Sequence, residues 1–112
     1  MFEIKNNFIR ITKGDTAQFD VNVGYIDGAQ YVMKPGDTLR MTVRKRIGYD
    51  VLLEVESTTN RITLPHEKTV NLVKGNCVYD IELKNAAGEV ATIVGPKDNS
   101  TYNMYVIGEV TE

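Results

Sequence analysis

Apolar and polar positions alternate along most of this chain with a period of two. Between Thr16 and Val23, the apolar residues Ala17, Phe19, Val21 and Val23 are interleaved with Gln18, Asp20 and Asn22, the pattern of a strand with one face in a core and one in water. The same alternation sets Leu39, Met41 and Val43 against Arg40, Thr42 and Arg44, and Cys77, Tyr79, Ile81 and Leu83 against Asp80 and Glu82. Stretches rich in β-branched or aromatic residues predict further strands at Phe8–Ile11, Val51–Ser57, Arg61–Leu64, Val90–Val94 and Tyr102–Val110. The total is about eight short strands.

Turn residues separate these strands at short intervals: Gly14-Asp15, Asp27-Gly28, Pro35-Gly36, Gly48-Tyr49-Asp50 and Ala87-Gly88. Asp27-Gly28 suits the positive φ of a tight hairpin turn and predicts pairing of Val21–Ile26 with Ala29–Met33. Asn85-Ala86-Ala87-Gly88 predicts a hairpin of Cys77–Leu83 with Val90–Val94, with Gly88 in the left-handed conformation. Pro65 to Gly75 breaks the rhythm, with proline where a first helical residue can sit and glycine where a cap can sit. It predicts one short helix near residues 65–74 that crosses between sheets, with Val70 and either Leu72 or Val73 turned inward. The fold expected from these elements is all-β: an immunoglobulin-like, two-sheet antiparallel sandwich of about eight strands with that one short helix. The tryptophan and cysteine pair of antibody domains are both missing.

Length makes residues 1–112 one domain. Such a chain buries about two-thirds of its unfolded surface, so it needs no metal or disulfide to be stable. With 42% hydrophobic and 25% charged residues it reads as an ordinary globule, and no apolar run approaches a membrane span. The net charge of −2 supplies no electrostatic footprint for nucleic acid or an anionic membrane. Cys77 is the single cysteine and has no disulfide partner within the chain, which suits a reducing compartment. The first residues carry no apolar core of a signal peptide.

Candidate chemistry is sparse, and the expectation is no catalytic, cofactor-binding or metal-binding residue. His66 is the only histidine and stands at the start of the expected helix, exposed or capping. Cys77 is in phase with Tyr79, Ile81 and Leu83 and reads as a small buried hydrophobe. Asp15, Asp20, Asp27, Asp37 and Asp50 sit mostly at turns, with no calcium-loop spacing. Gly75, Gly88 and Gly95 are isolated and form no phosphate-cradling loop. The basic run Arg44-Lys45-Arg46, with Arg40, is answered by Glu54 and Glu56 if Leu39–Arg44 and Val51–Ser57 pair with Leu39, Met41 and Val43 beside Leu53 and Val55. Asn99-Ser100-Thr101 matches a glycosylation sequon by chance in a chain without a signal peptide. Of the six tyrosines, Tyr79 and one of Tyr102 and Tyr105 are expected in the core, which leaves no evident sugar platform.

Three stretches carry a resemblance. Phe8-Ile9-Arg10-Ile11-Thr12-Lys13-Gly14-Asp15-Thr16-Ala17-Gln18-Phe19-Asp20-Val21 resembles the opening of small β-sandwich domains encoded in phage and prophage tail-gene clusters, among them the N-terminal domains of baseplate upper proteins. Gly36-Asp37-Thr38-Leu39-Arg40-Met41-Thr42-Val43-Arg44-Lys45 is similar to the middle of those domains. Gly75-Asn76-Cys77-Val78-Tyr79-Asp80-Ile81-Glu82-Leu83, followed by Gly88-Glu89-Val90-Ala91-Thr92-Ile93, is similar to a later stretch. The resemblance implies a non-enzymatic structural protein of a phage tail or baseplate, made in the bacterial cytoplasm and housed in the virion. Its partners would be other tail or baseplate proteins and copies of itself, the chain forming a homo-oligomer, with no nucleic acid and no membrane. Baseplate upper proteins continue into helical and fibre-like regions that these 112 residues do not contain. Strand addition at outer strands near Phe2–Ile4 or Tyr102–Val110 is the expected mode of contact. The alternative is a tail-associated module that binds a host-surface glycan or protein.

Overall fold

The computed structural model describes residues 1–26, 29–98 and 101–109. Its largest sheet contains seven strands. Strand β1 (Phe2–Lys5) pairs antiparallel with β2 (Phe8–Thr12), and β2 runs parallel to β11 (Met104–Ile107). Next comes β9 (Gly75–Lys84), the longest strand, which pairs antiparallel with β11, with β6 (Thr38–Arg44) and with β10 (Val90–Val94); β7 (Val51–Ser57) closes the far edge beside β6. A second, small sheet holds β3 (Ala17–Asp20) and β8 (Arg61–Leu64), and a two-residue pair joins β4 (Tyr25–Ile26) to β5 (Ala29–Gln30). The helix α1 spans His66–Thr69, between β8 of the small sheet and β9 of the large one.

Period-two patterning accounts for the burial. Inward residues Ile9, Ile11, Met104, Val106, Cys77, Tyr79, Ile81, Leu39, Met41, Val43, Leu53 and Val55 meet Ala17, Ile62, Leu64 and Leu72 in one hydrophobic cluster shared by both sheets. A single-residue slip of any of these strands would turn its apolar set to water. The β6–β7 register pairs Met41 with Val55 and Val43 with Leu53, as the alternation requires, and brings Arg40 opposite Glu56.

Four expectations need correction. The large sheet is mixed rather than antiparallel, because β11 lies parallel to β2. Among the described residues there are eleven strands rather than about eight: β1 forms at the expected outer position, and the expected pairing of Val21–Ile26 with Ala29–Met33 forms as β4 and β5, shortened to two residues each. The helix is one turn, not ten residues. Pro65 holds an extended conformation before it, Thr69 is buried, Leu72 turns inward, and Val70 and Val73 are exposed. Finally, β11 is flanked on both sides and offers no free edge. The Asp27-Gly28 turn, Asn99 and Ser100 of the sequon, and Val110 lie outside the described residues.

Two turns show why particular residues stand where they do. Asn6 and Asn7 take φ of 51° and 65° between β1 and β2. This is the doubly left-handed hairpin turn whose twist matches its strands, and asparagine tolerates it. Gly36 has φ 93°, and an added Cβ there would lie 2.7 Å from the Ala86 Cβ. The loop before β6 therefore seats directly on the β9–β10 turn, where Gly88 is left-handed as expected.

Candidate functional site

The residues with latent chemistry are engaged in structure. Gly14 O accepts a 2.6 Å hydrogen bond from His66 Nδ1, which must carry the proton because a carbonyl only accepts. Thr69 Oγ1 donates to Asp15 O at 2.9 Å, so two side chains of α1 bind the turn that follows β2. Cys77 is fully buried, and burial pushes its thiol up to about 11 against a small opposing effect of Lys45. A thiol with so little thiolate is a poor nucleophile. Among the described residues no three histidine, cysteine, aspartate or glutamate side chains group as metal ligands, and no helix is long and apolar enough to cross a membrane.

The basic stretch is divided among separate tasks. Arg40 pairs at 3.6 Å with Glu82, its neighbour on β9, rather than with Glu56, its neighbour on β7. Arg44 donates to Tyr49 O, Lys45 donates to Lys74 O at 3.3 Å, and Arg46 lies over the Tyr49 ring. Aspartates serve turns and pairs, as expected. The Asp37 carboxylate accepts from Tyr31 Oη at 2.5 Å and from Lys34 N–H at 2.9 Å, and these bonds, the tyrosine's foremost, hold its pKa below the usual range. Asp20 accepts from Arg61 across β3 and β8 at 3.0 Å. Tyr79 is in the core as expected; Tyr102 and Tyr105 are both half-buried, and Tyr105 alternates away from buried Met104 and Val106 to lie under Arg10.

Among the described residues one buried carboxylate oxygen lacks a hydrogen bond. Asp80, on β9, has a buried Oδ1 without a hydrogen bond, and burial, reinforced by Glu82, raises its pKa. It faces a cavity of about 280 Å³ lined with Thr42, Arg44, Ile47, Thr92 and Pro96. A larger cleft, about 480 Å³, lies on the same outer face among Arg40, Glu56, Glu82, Lys84 and Asn85.

The feature best suited to recognition is main chain. Thr12 N–H donates to Met1 O at 2.8 Å, which makes Met1 and Thr12 a hydrogen-bonded pair of the β1–β2 ladder. Such pairs alternate in antiparallel strands, so Glu3 with Arg10 and Lys5 with Phe8 are the others, and Phe2 and Ile4 point their N–H and C=O groups away from the sheet. Beside this open edge Ile4 is 39% exposed and Phe8 36%. The opposite edge is guarded: Lys68 Nζ donates to Glu54 O of β7 at 2.7 Å. The third edge, on β10, carries a bulge between Thr92 and Val94, a device that discourages further pairing.

An Asn6-Asn7 pair between two apolar alternations is a sequence signal for this hairpin. The unpartnered oxygen of Asp80 has no such signal, because an aspartate on the outward parity of a strand ordinarily meets water. No known protein family, curated protein or solved structure matches this chain.

Proposed function

We propose that this protein is a non-enzymatic structural module of a phage or prophage tail or baseplate, an immunoglobulin-like β-sandwich that acts through protein–protein contacts. The observation that carries the reading is the open β1 edge, with outward main-chain groups at Phe2 and Ile4 beside exposed apolar side chains. The tail-domain resemblance supports it as well: Gly14, Gly36, Gly75 and Gly88, which open its motifs or stand at their turns, all have positive φ. The engagement of His66 and Cys77 in packing and hydrogen bonding accords with a role that uses no reactive group.

Co-expression with the products of neighbouring genes tests the proposal. Adjacent genes for tail or baseplate proteins, and a stable complex with at least one of their products that is weakened by substitutions in β1, are the expected results. Absence of both would overturn it. A second reading, a host-surface binder, draws on the cleft bearing Arg40, Glu82, Lys84 and Asn85, whose donors and acceptors suit sugar hydroxyls; specific glycan-array signals lost in Arg40→Ala would favour it.

A further inference from the structure

Edge strands that expose a row of unpaired main-chain groups template another strand unless something prevents it. Of the three edges of the large sheet described above, β7 is blocked by Lys68 and β10 is bulged, whereas β1 has a regular register with β2 from Phe2 to Lys5. The residues of β1 also restrict what can pair with it. Phe2 and Ile4 present the main chain outward, and Glu3 and Lys5 project together from the face opposite to Ile4.

For two copies of β1 paired antiparallel, outward-facing residues must meet outward-facing residues, which leaves few registers. Centring the pair on Phe2 sets Glu3 opposite Met1 and brings it no opposite charge of β1; centring it on Glu3 opposes Glu3 to itself, and centring it on Lys5 opposes Lys5 to itself. Centring on Ile4 sets Glu3 of each copy opposite Lys5 of the other. It also makes Ile4 with Ile4 a reciprocal hydrogen-bonded pair. The two Glu–Lys pairs then occupy the closer, non-hydrogen-bonded positions of the ladder, where opposite charges stabilise, and the half-exposed Ile4 side chains cover one another.

We propose that two copies of this chain join edge to edge along β1, antiparallel about a two-fold axis at Ile4, so that the large sheet of one continues into that of the other. This rests on the assembly reading and names a partner for it, a second copy.

Sedimentation velocity from ~10 μM to ~1 mM is the test. Wild type should show a concentration-dependent dimer. Glu3→Lys and Lys5→Glu should each raise the dissociation constant about tenfold by setting like charges opposite each other. The double variant should recover, and an equimolar mixture of the two single variants should form a heterodimer in preference to either homodimer. Ile4→Pro removes an outward N–H and spares the β1–β2 bonds, so it should give a monomer with an unchanged circular dichroism spectrum. Since Glu3 also faces Arg10, thermal melting distinguishes damage to the monomer from loss of the dimer. A strict monomer at ~1 mM, or a dimer indifferent to the charge variants, would overturn the proposal. Binding to tail proteins is read by the co-expression experiment, so failure of the dimer is distinguishable from failure of the assembly reading.

Discussion

The side chain of Asn103 binds both main-chain groups of Tyr79. Its Oδ1 accepts from Tyr79 N–H and its Nδ2 donates to Tyr79 O, each at 2.9 Å, while its own carbonyl accepts from Ile9 N–H at 3.1 Å. Along one edge of β9, β11 pairs at Gly75–Cys77 and β10 pairs from Ile81 onward. Tyr79 lies in the gap between them, and the carboxamide there takes the place of a strand. Two neighbouring strands can thus diverge from β9 without leaving buried main-chain groups unpaired.

Asn103→Ala should therefore cost about 2–4 kcal/mol, since it strands a buried donor and a buried acceptor together. Asn103→Asp should keep the bond to Tyr79 N–H but set a carboxylate oxygen against Tyr79 O, giving a protein less stable at neutral pH that recovers as the new carboxyl protonates. Urea unfolding at several pH values checks both, and unchanged midpoints would remove the strand-substitute role.

Alkaline pH should weaken the fold through two buried acids. Burial pushes Cys77 up to about 11 and Tyr79 up to about 12, from ordinary values of 9.0 and 10.0. Both keep their protons in the folded state over a range where the unfolded chain releases them. Their stabilising effect is complete below pH 9 and is lost as pH rises through 11 for the thiol and 12 for the phenol. Cys77→Ala should remove the first part of this loss, and native Cys77 should react with a thiol reagent only as fast as the chain opens.

Asp80 should act in the acid direction. Its pKa is raised by burial and by Glu82, so the folded state favours the protonated form, and stability should fall as pH rises through that folded value. Asp80→Asn should abolish this dependence and raise the urea midpoint at neutral pH. A lower midpoint would show that the carboxylate is better satisfied than its unpartnered Oδ1 indicates.

Gly36→Ala should destabilise by more than about 1 kcal/mol, because the backbone is left-handed there and the new Cβ meets Ala86. Ala86→Gly in the same chain should recover the steric part and leave the conformational part. Thermal melts of the two single variants and the double form a mutant cycle. A strictly additive result would show that the two loops do not press on one another.

By itself the sequence determined which residues of the regular strands face inward. Richness in β-branched residues set the strands Val51–Ser57, Arg61–Leu64 and Val90–Val94 to the residue, while period-two alternation predicted the β6–β7 register and marked Cys77 as buried. These features follow from one strand, or two joined by a short turn, keeping apolar groups from water, so local pattern suffices. Tertiary structure alone decided that β11 inserts parallel to β2, because a parallel neighbour is remote in sequence and no turn residue announces it. It also decided that α1 stops after one turn, where Thr69 is drawn to Asp15 O, and that Asn103 completes the ladder at Tyr79. The open edge of β1 belongs to both. Its alternation is written in Phe2 to Lys5 and the turn at Asn6-Asn7 sets which groups face outward, but that β1 stays at the edge depended on β2 finding its second partner in β11.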